Sequence, residues 1–353
     1  MYRILVINTG STSTKIAVYE GDAPVIEENI EHSAEELKGC VELLDQYPIR
    51  RSAVIKCLRE HGQADKDFDA VAARGGTFGC ARGGAYLVEE KLLEACRHPV
   101  TNHPSNLSAI IAEDIAREKG CQAFIYDAVC VNEVQDIARL TGLKGVMRRP
   151  FSHVLNTRAT ARDVAASMGR EYGEMNFIAA HMGGGISISL HNRGRIIDLC
   201  SDDEGPMSPE RAGKMNGKAY VDMCYSGEYT KVQMMKRIKG QGGLVSHMGT
   251  SSLIEVDKMI DGGDEYADRI LSAMAYQTAK EIGALATVVA GEVDGIILTG
   301  GCAHCKRLTE RIAKSVSFIA PVTVVPGAKE MKALQEGISR VLSGIEGYSV
   351  YGA

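Results

Sequence analysis

The sequence predicts an α/β protein of two related domains, and three observations predict it. A hairpin of two apolar strands with a polar, glycine-containing tip opens the chain, and the same device returns at residues 176–194. Around both, short buried-strand runs alternate with helical segments, the pattern of sheets covered by helices. The length of 353 residues accommodates two domains, each with a sizeable core.

Residues 4–7 read as a buried strand that breaks at Asn8-Thr9-Gly10; residues 16–19 return, and Glu20-Gly21-Asp22 closes the hairpin. The tip is nearly all hydroxyl, amide and glycine. Such a tip aims backbone N–H groups and short hydroxyls at an anion, and Lys15 adds a positive charge. An ordinary polar turn is the alternative. Helical segments are expected over residues 34–46 and 51–61, then a buried strand over 68–73 that runs into Arg74-Gly75-Gly76. Ser105 is expected to cap a helix with Leu107, Ile110, Ile111 and Ile115 on one face and Gly120 as its stop. Residues 123–126 form another buried strand, ending on Asp127. Pro150 marks the expected crossing, giving domains of residues 1–148 with 330–353, and 149–329.

The second half opens with an expected helix over 157–168, stopped by Gly169. The second hairpin has its tip at Gly183-Gly184-Gly185 and returns with Ile186, Ile188 and Leu190 on one face. Asn8 falls opposite His181, and Gly10 opposite Gly183, which suggests two related domains serving one phosphate chain. A long helix follows, with Ile270, Leu271, Met274, Thr278, Ile282, Leu285 and Val289 as its inner stripe. The buried strand Ile296-Ile297-Leu298-Thr299 then ends in Gly300-Gly301, where bare backbone lets a flat nucleoside lie close. A helix over 309–317, a strand over 322–325 and a closing helix carrying Met331, Leu334, Ile338, Val341, Leu342 and Ile345 complete the chain.

Composition excludes several classes. A net charge of −5 without a Lys/Arg-rich run excludes a nucleic-acid binder that depends on a basic face. No apolar run reaches ~18 residues, so no membrane span is expected. Met1 leads straight into a strand without a charged and apolar leader, so a cytoplasmic location is expected. The ten cysteines are scattered, many inside apolar runs, and read as reduced thiols acting as small apolar side chains. Cys302-Ala303-His304-Cys305 offers two thiols and an imidazole, but no second Cys/His pair stands at zinc spacing; a loop after the Gly-Gly turn is the expectation.

Two glycine-tipped phosphate hairpins and a late strand-Gly-Gly loop resemble the superfamily of sugar kinases, chaperone ATPases and actin. Within it, Val6-Ile7-Asn8-Thr9-Gly10-Ser11-Thr12-Ser13-Thr14-Lys15 is similar to the opening of the acetate and butyrate kinases. Glu204-Gly205-Pro206-Met207-Ser208-Pro209-Glu210-Arg211-Ala212-Gly213, Ser105-Asn106-Leu107 and Leu298-Thr299-Gly300-Gly301 point to the butyrate kinase branch. The resemblance covers nearly the whole chain. It implies two ribonuclease-H-like domains, ATP/ADP and Mg²⁺ as cofactors, a short-chain carboxylate or acyl phosphate as substrate, and at least a homodimer. It also implies that the closing helix returns to the first domain.

Phosphoryl transfer to a carboxylate needs little covalent chemistry from a protein. The nucleophile is already charged, so the demand is in-line positioning and neutralisation of the moving charge. Arg, His and Lys around phosphate, and an acidic residue for Mg²⁺, are what that demands. Arg74 follows a buried strand and precedes two glycines; the alternative is a surface arginine in a turn. The acetate kinases carry histidine at its place, so its role follows from the butyrate branch. Asp127 resembles the family aspartate that helps hold Mg²⁺ and the phosphoryl group; the alternative is a helix cap. His153 resembles the histidine that steadies the transferring phosphoryl; a lone histidine is otherwise structural. Arg211 is a further catalytic candidate, and Pro209-Glu210 also suits a helix start. Asn8, Ser11, Ser13 and Lys15 match the family's first phosphate loop, His181, Gly183, Gly184 and Gly185 its second, and Gly300 and Gly301 its adenosine contact.

Three departures stand out. Gly249-Thr250 is followed by Ser251-Ser252-Leu253-Ile254, where the butyrate kinases carry asparagine, aspartate and a nearby arginine. The stretch Gly79-Cys80-Ala81-Arg82-Gly83-Gly84 lacks a lysine and prolines, and Asn132 stands where an aspartate is common. A divergent nucleotide-binding paralogue with weak activity, a phosphoanhydride hydrolase with Glu204 holding a water, and a nucleotide-driven binding module remain as alternatives.

Overall fold

A computed structural model of the chain describes residues 1–79, 82–99, 101–149 and 151–352. Pro150, the expected crossing, lies outside the described residues, as do Cys80 and Ala81. The chain divides into two compact units, Met1–Asn132 with Lys329–Ala353, and Glu133–Ala328.

In chain order the first unit has β1 (Arg3–Thr9), β2 (Ser13–Glu20), β3 (Ala23–Glu31), α1 (Tyr47–Glu60), β4 (Ala70–Arg74), β5 (Ala85–Leu87), α2 (Glu90–Arg97), α3 (Ser105–Lys119) and β6 (Gln122–Tyr126). The second has α4 (Asp136–Arg139), α5 (Val154–Ser167), β7 (Asn176–Met182), β8 (Ile186–Asn192), β9 (Arg195–Cys200), α6 (Gly217–Tyr225), α7 (Lys231–Ile238), α8 (Leu244–Met248), α9 (Leu253–Asp261), α10 (Glu265–Ala286), β10 (Gly295–Gly300), α11 (Lys306–Val316) and β11 (Val322–Pro326). The chain then returns to the first unit with α12 (Glu330–Leu342) and β12 (Tyr348–Val350).

The two sheets share one plan. The first runs β12-β5-β6-β4-β1-β2-β3, the second β11-β10-β7-β8-β9. In each, a hairpin and a third antiparallel strand flank parallel neighbours: β1-β2-β3 beside β4 and β6, and β7-β8-β9 beside β10 and β11. This is the repeated ribonuclease-H-like order that the family resemblance implied, in the two related domains that the hairpins predicted. Each sheet is covered on both faces, so its central strands are apolar throughout rather than alternating. Leu5, Ile7, Ile16, Val71 and Ile125 pack with Val54 and Leu58 of α1 and Leu107 and Ile111 of α3. On the other face α12 presses so close that a Cβ on Gly337 would lie 2.7 Å from the Tyr126 ring. In the second unit α10 and α11 cover Ile178, Ala180, Ile188 and Leu298, and α5 covers Phe177, Ala179 and Ile297.

The two tips differ by one residue. Gly10 N–H donates to Ser13 O, whereas Gly183 N–H donates to Gly185 O, both at 2.8 Å. Several expected elements are shifted. Residues 34–39 are turns, and the helix starts at Tyr47, where Pro48 fits the first turn. Ser105 is the first residue of α3 rather than its cap; its hydroxyl donates to Thr9 O at 3.3 Å. Gly120 ends α3 with φ 69°, as a stop in left-handed conformation should. The helix expected from 157 begins at Val154, which makes His153 its N-cap residue. No helix starts at Pro209 among the described residues. Ser252, one of the departures, caps α9 by accepting the Glu255 N–H.

Candidate active site

In the first unit, β1, β4 and β6 lie side by side and parallel, so their carboxyl ends form one edge. Open α/β sheets bind ligands at such an edge. Register sets Ile7 beside Ala73 and Arg74 beside Tyr126, so Asn8, Arg74 and Asp127 follow one another along it. Glu330, the first residue of α12, joins two of them: Asn8 Nδ2 donates to Oε2, and Arg74 Nη1 meets Oε1, both at 2.9 Å. Asp127 Oδ1 accepts the Gly84 N–H at 2.8 Å, and its backbone adopts φ 42°. The alternative role as a helix cap falls away, since the next helix begins at Asp136.

The first glycine tip is held from behind by Arg50, which is fully buried. Its guanidinium donates to Ser13 O at 2.8 Å, Ser11 O at 3.0 Å and Thr14 Oγ1 at 3.1 Å. With those carbonyls tied inward, the exposed Ser11 and Thr12 N–H groups have no acceptor among the described residues. Burial pulls the Arg50 guanidinium below the usual arginine range. Ser13 is half-buried, and Lys15 is exposed directly across the ladder from Asn8.

The second tip is tied back by different groups. Ser208 Oγ and Glu210 N–H both donate to Gly184 O, at 2.6 and 2.9 Å, and Cys302 Sγ donates to Gly183 O at 3.2 Å. Burial pushes the Cys302 thiol up to about 12, so it packs rather than reacts. A Cβ on Gly185 would collide with the Asp202 side chain, whereas one on Gly184 would meet only the movable end of Glu210. His181 is the penultimate residue of β7, and its ring stacks on His153 with centroids 3.9 Å apart and planes 9° from parallel. His153 Nδ1 lies 2.9 Å from Ser187 Oγ, on the residue paired with His181 in the ladder. Arg211 does not join this pair; its Nε and Nη2 hold Asp202 Oδ2 at 3.1 and 3.0 Å. Gly300 has φ 90° and packs on the Met182 backbone, whereas a Cβ on Gly301 would meet nothing within 4 Å. Gly301 is therefore the open half of the expected adenosine contact.

Glu330, Arg50 and Asn156, which bonds His181, were not expected. Arg50 had a visible signal: with Val54, Cys57 and Leu58 it sits at i, i+4, i+7, i+8 on the buried stripe of α1. Glu204, the residue a hydrolase would need for its water, is engaged by Arg148 at 2.8 Å.

The acetokinase family model matches residues 139–320, just over half of the chain. The chain belongs to the acetokinase family. Three solved structures share its fold over almost their full length. The acetate kinase of Porphyromonas gingivalis aligns with TM-score 0.78 at 18% identity, covering 97% of this chain and 100% of that one. The Entamoeba histolytica acetate kinase gives 0.76 at 16%, covering 96% and 99%. A propionate kinase from Francisella tularensis gives 0.75 at 14%, covering 96% and 99%. Family membership makes the chain a carboxylate kinase that uses ATP or ADP. Among the described residues no helix is long and apolar enough to cross a membrane.

Proposed function

We propose that this family member transfers the γ-phosphoryl group of ATP, reversibly, to the carboxylate of butyrate or a similar short- or branched-chain fatty acid. The observation that carries the reading is the Asn8–Glu330–Arg74 cluster at the carboxyl edge of β1 and β4, beside a glycine tip whose Ser11 and Thr12 are exposed. Arginine at 74 follows the butyrate branch. Arg74 offers a planar cation to the phosphoryl oxygens as charge builds on them. His153 and His181 present stacked imidazoles at the second tip, and Gly183, Gly184 and Gly185 let phosphate approach backbone. Arg211 shapes the acidic loop through Asp202.

The resident ion in this reading is Mg²⁺. Among the described residues no three His, Cys, Asp or Glu side chains converge on a point. Mg²⁺ on a nucleotide does not need that; it keeps waters and takes one or two carboxylates beside phosphate oxygens. Asp127 is the carboxylate at the edge that would hold it. When bound it neutralises charge on the phosphates.

Purified protein with Mg-ATP should turn butyrate into butyryl phosphate, trapped as the hydroxamate, in a series from acetate to valerate. One methylene is worth only ~1–3 kcal/mol, so neighbouring acids should react more slowly rather than not at all. No hydroxamate from any of them, with nucleotide still bound, would favour the binding module. Arg50→Lys tests the first tip. Lysine keeps the charge but lacks a fork that spans two carbonyls. Losing about one hydrogen bond's net worth, ~1–1.5 kcal/mol, should weaken Mg-ATP binding about tenfold by calorimetry. Unchanged affinity would leave Arg50 as support for α1 alone.

A further inference from the structure

We infer that Asn156 holds His181 as a neutral imidazole with its proton on Nε2, on the side of the glycine tip. Thr299 Oγ1 donates to Gly327 O at 3.1 Å. A carbonyl oxygen only accepts, so the single hydroxyl proton of Thr299 is committed there. The Thr299 oxygen then accepts from Asn156 Nδ2 at 3.3 Å, which fixes which end of the amide faces it. The same NH₂ group lies 2.9 Å from His181 Nδ1. Its second proton goes to that nitrogen, so Nδ1 is an acceptor and carries no proton. The ring proton is on Nε2, the atom that would sit 3.7 Å from a Cβ on Gly183.

The network is sealed: Asn156 is 1% exposed, Thr299 0% and His181 8%. Protonating Nδ1 would set two donors against each other where no water can intervene. The other ionisable groups nearby act in the same direction or stand back. His153 is stacked on the ring from the start of α5, and two charged rings 3.9 Å apart would repel. Cys302 stays a thiol behind the tip. Asp202 and Glu210 pack behind Gly185 and Gly184, with Asp202 paired to Arg211. Asn156 is a positioning residue: it gives the second hairpin a neutral, fixed N–H donor. The role of that donor rests on the phosphate reading above; the tautomer does not.

Long-range ¹H–¹⁵N correlation spectra of the full-length, nucleotide-free protein test it, with His181→Gln to assign the ring. The His181 ring should show the Nε2–H tautomer and no titration from about pH 5.5 to 8. Asn156→Asp replaces the donor with an acceptor. Its carboxylate should draw a proton onto Nδ1 and raise the His181 midpoint, so that the ring titrates. KM for Mg-ATP should then vary with pH, where in the unmodified enzyme His181 adds no such dependence. An Nδ1–H signal, or an ordinary titration of His181 in the unmodified protein, would overturn the inference, and this needs no variant to fold. The expected tautomer with a flat KM profile in Asn156→Asp would uphold the inference and remove His181 from the phosphate.

Discussion

Arg74→Ala should lower kcat by about 30- to 1000-fold, ~2–4 kcal/mol of transition-state stabilisation, while Mg-ATP affinity stays nearly intact. Arg74 is the last residue of β4, held by a strand with neighbours on both sides, so its side chain starts from a rigid edge. Its partner Glu330 is only 15% exposed at the side chain, and Arg74 19%. At that burial, removing one member of an ion pair costs some stability, because the Glu330 carboxylate loses its cationic partner. Stability and catalysis separate through a second variant. Glu330→Gln in the Arg74→Ala background removes that carboxylate charge and should restore melting temperature, but not kcat. If it restored kcat as well, Arg74 would act only by restraining Glu330. If ATP affinity fell as far as kcat, Arg74 would belong to the nucleotide or the fold.

The parts of this site that are local in sequence could be read from it. Asn8, Arg74 and Asp127 each end an apolar run, and strand ends are visible because the run stops. The glycine tips are visible because a strand's apolar pattern breaks on both sides of them. What sequence could not reveal is pairing at a distance. Glu330 meets Asn8 across 322 residues, and nothing near Glu330 says that α12 lies on β1. Helices α6 and α7 went unread for a different reason. They bury only Met234, so no broad apolar stripe marks them, whereas α9 carries a short one in Leu253, Val256 and Ile260 that went unread. Pro209-Glu210 misled because it fits a helix start locally, while the Glu210 N–H is used by Gly184 O instead. Tertiary contact overrode local preference there.

The glycine tips give the second large effect: Gly10→Val and Gly183→Val should each weaken Mg-ATP binding at least about tenfold, ~1.4 kcal/mol or more. The reason lies in what these glycines do not touch. A Cβ on Gly10 would meet Ser13 Oγ at 3.5 Å, and one on Gly183 would meet Gly185 O and His181 Nε2 at 3.7 Å, all ordinary contacts. Neither residue has a positive φ. The protein's own packing therefore does not require glycine at either place, and both variants should melt within a few degrees of the parent. Gly300 is the contrast. With φ 90° and the Met182 carbonyl where its Cβ would go, Gly300→Val should destabilise the nucleotide-free fold outright. Calorimetric titration with Mg-ATP and melting curves without it separate the two kinds of glycine. ATP should raise the melting temperature of the parent by linkage, and much less that of either tip variant. A Gly183→Val protein that binds ATP normally while Gly10→Val does not would leave the second tip a structural turn. The matching sheet plans would then be a duplication that kept its phosphate site in one unit only.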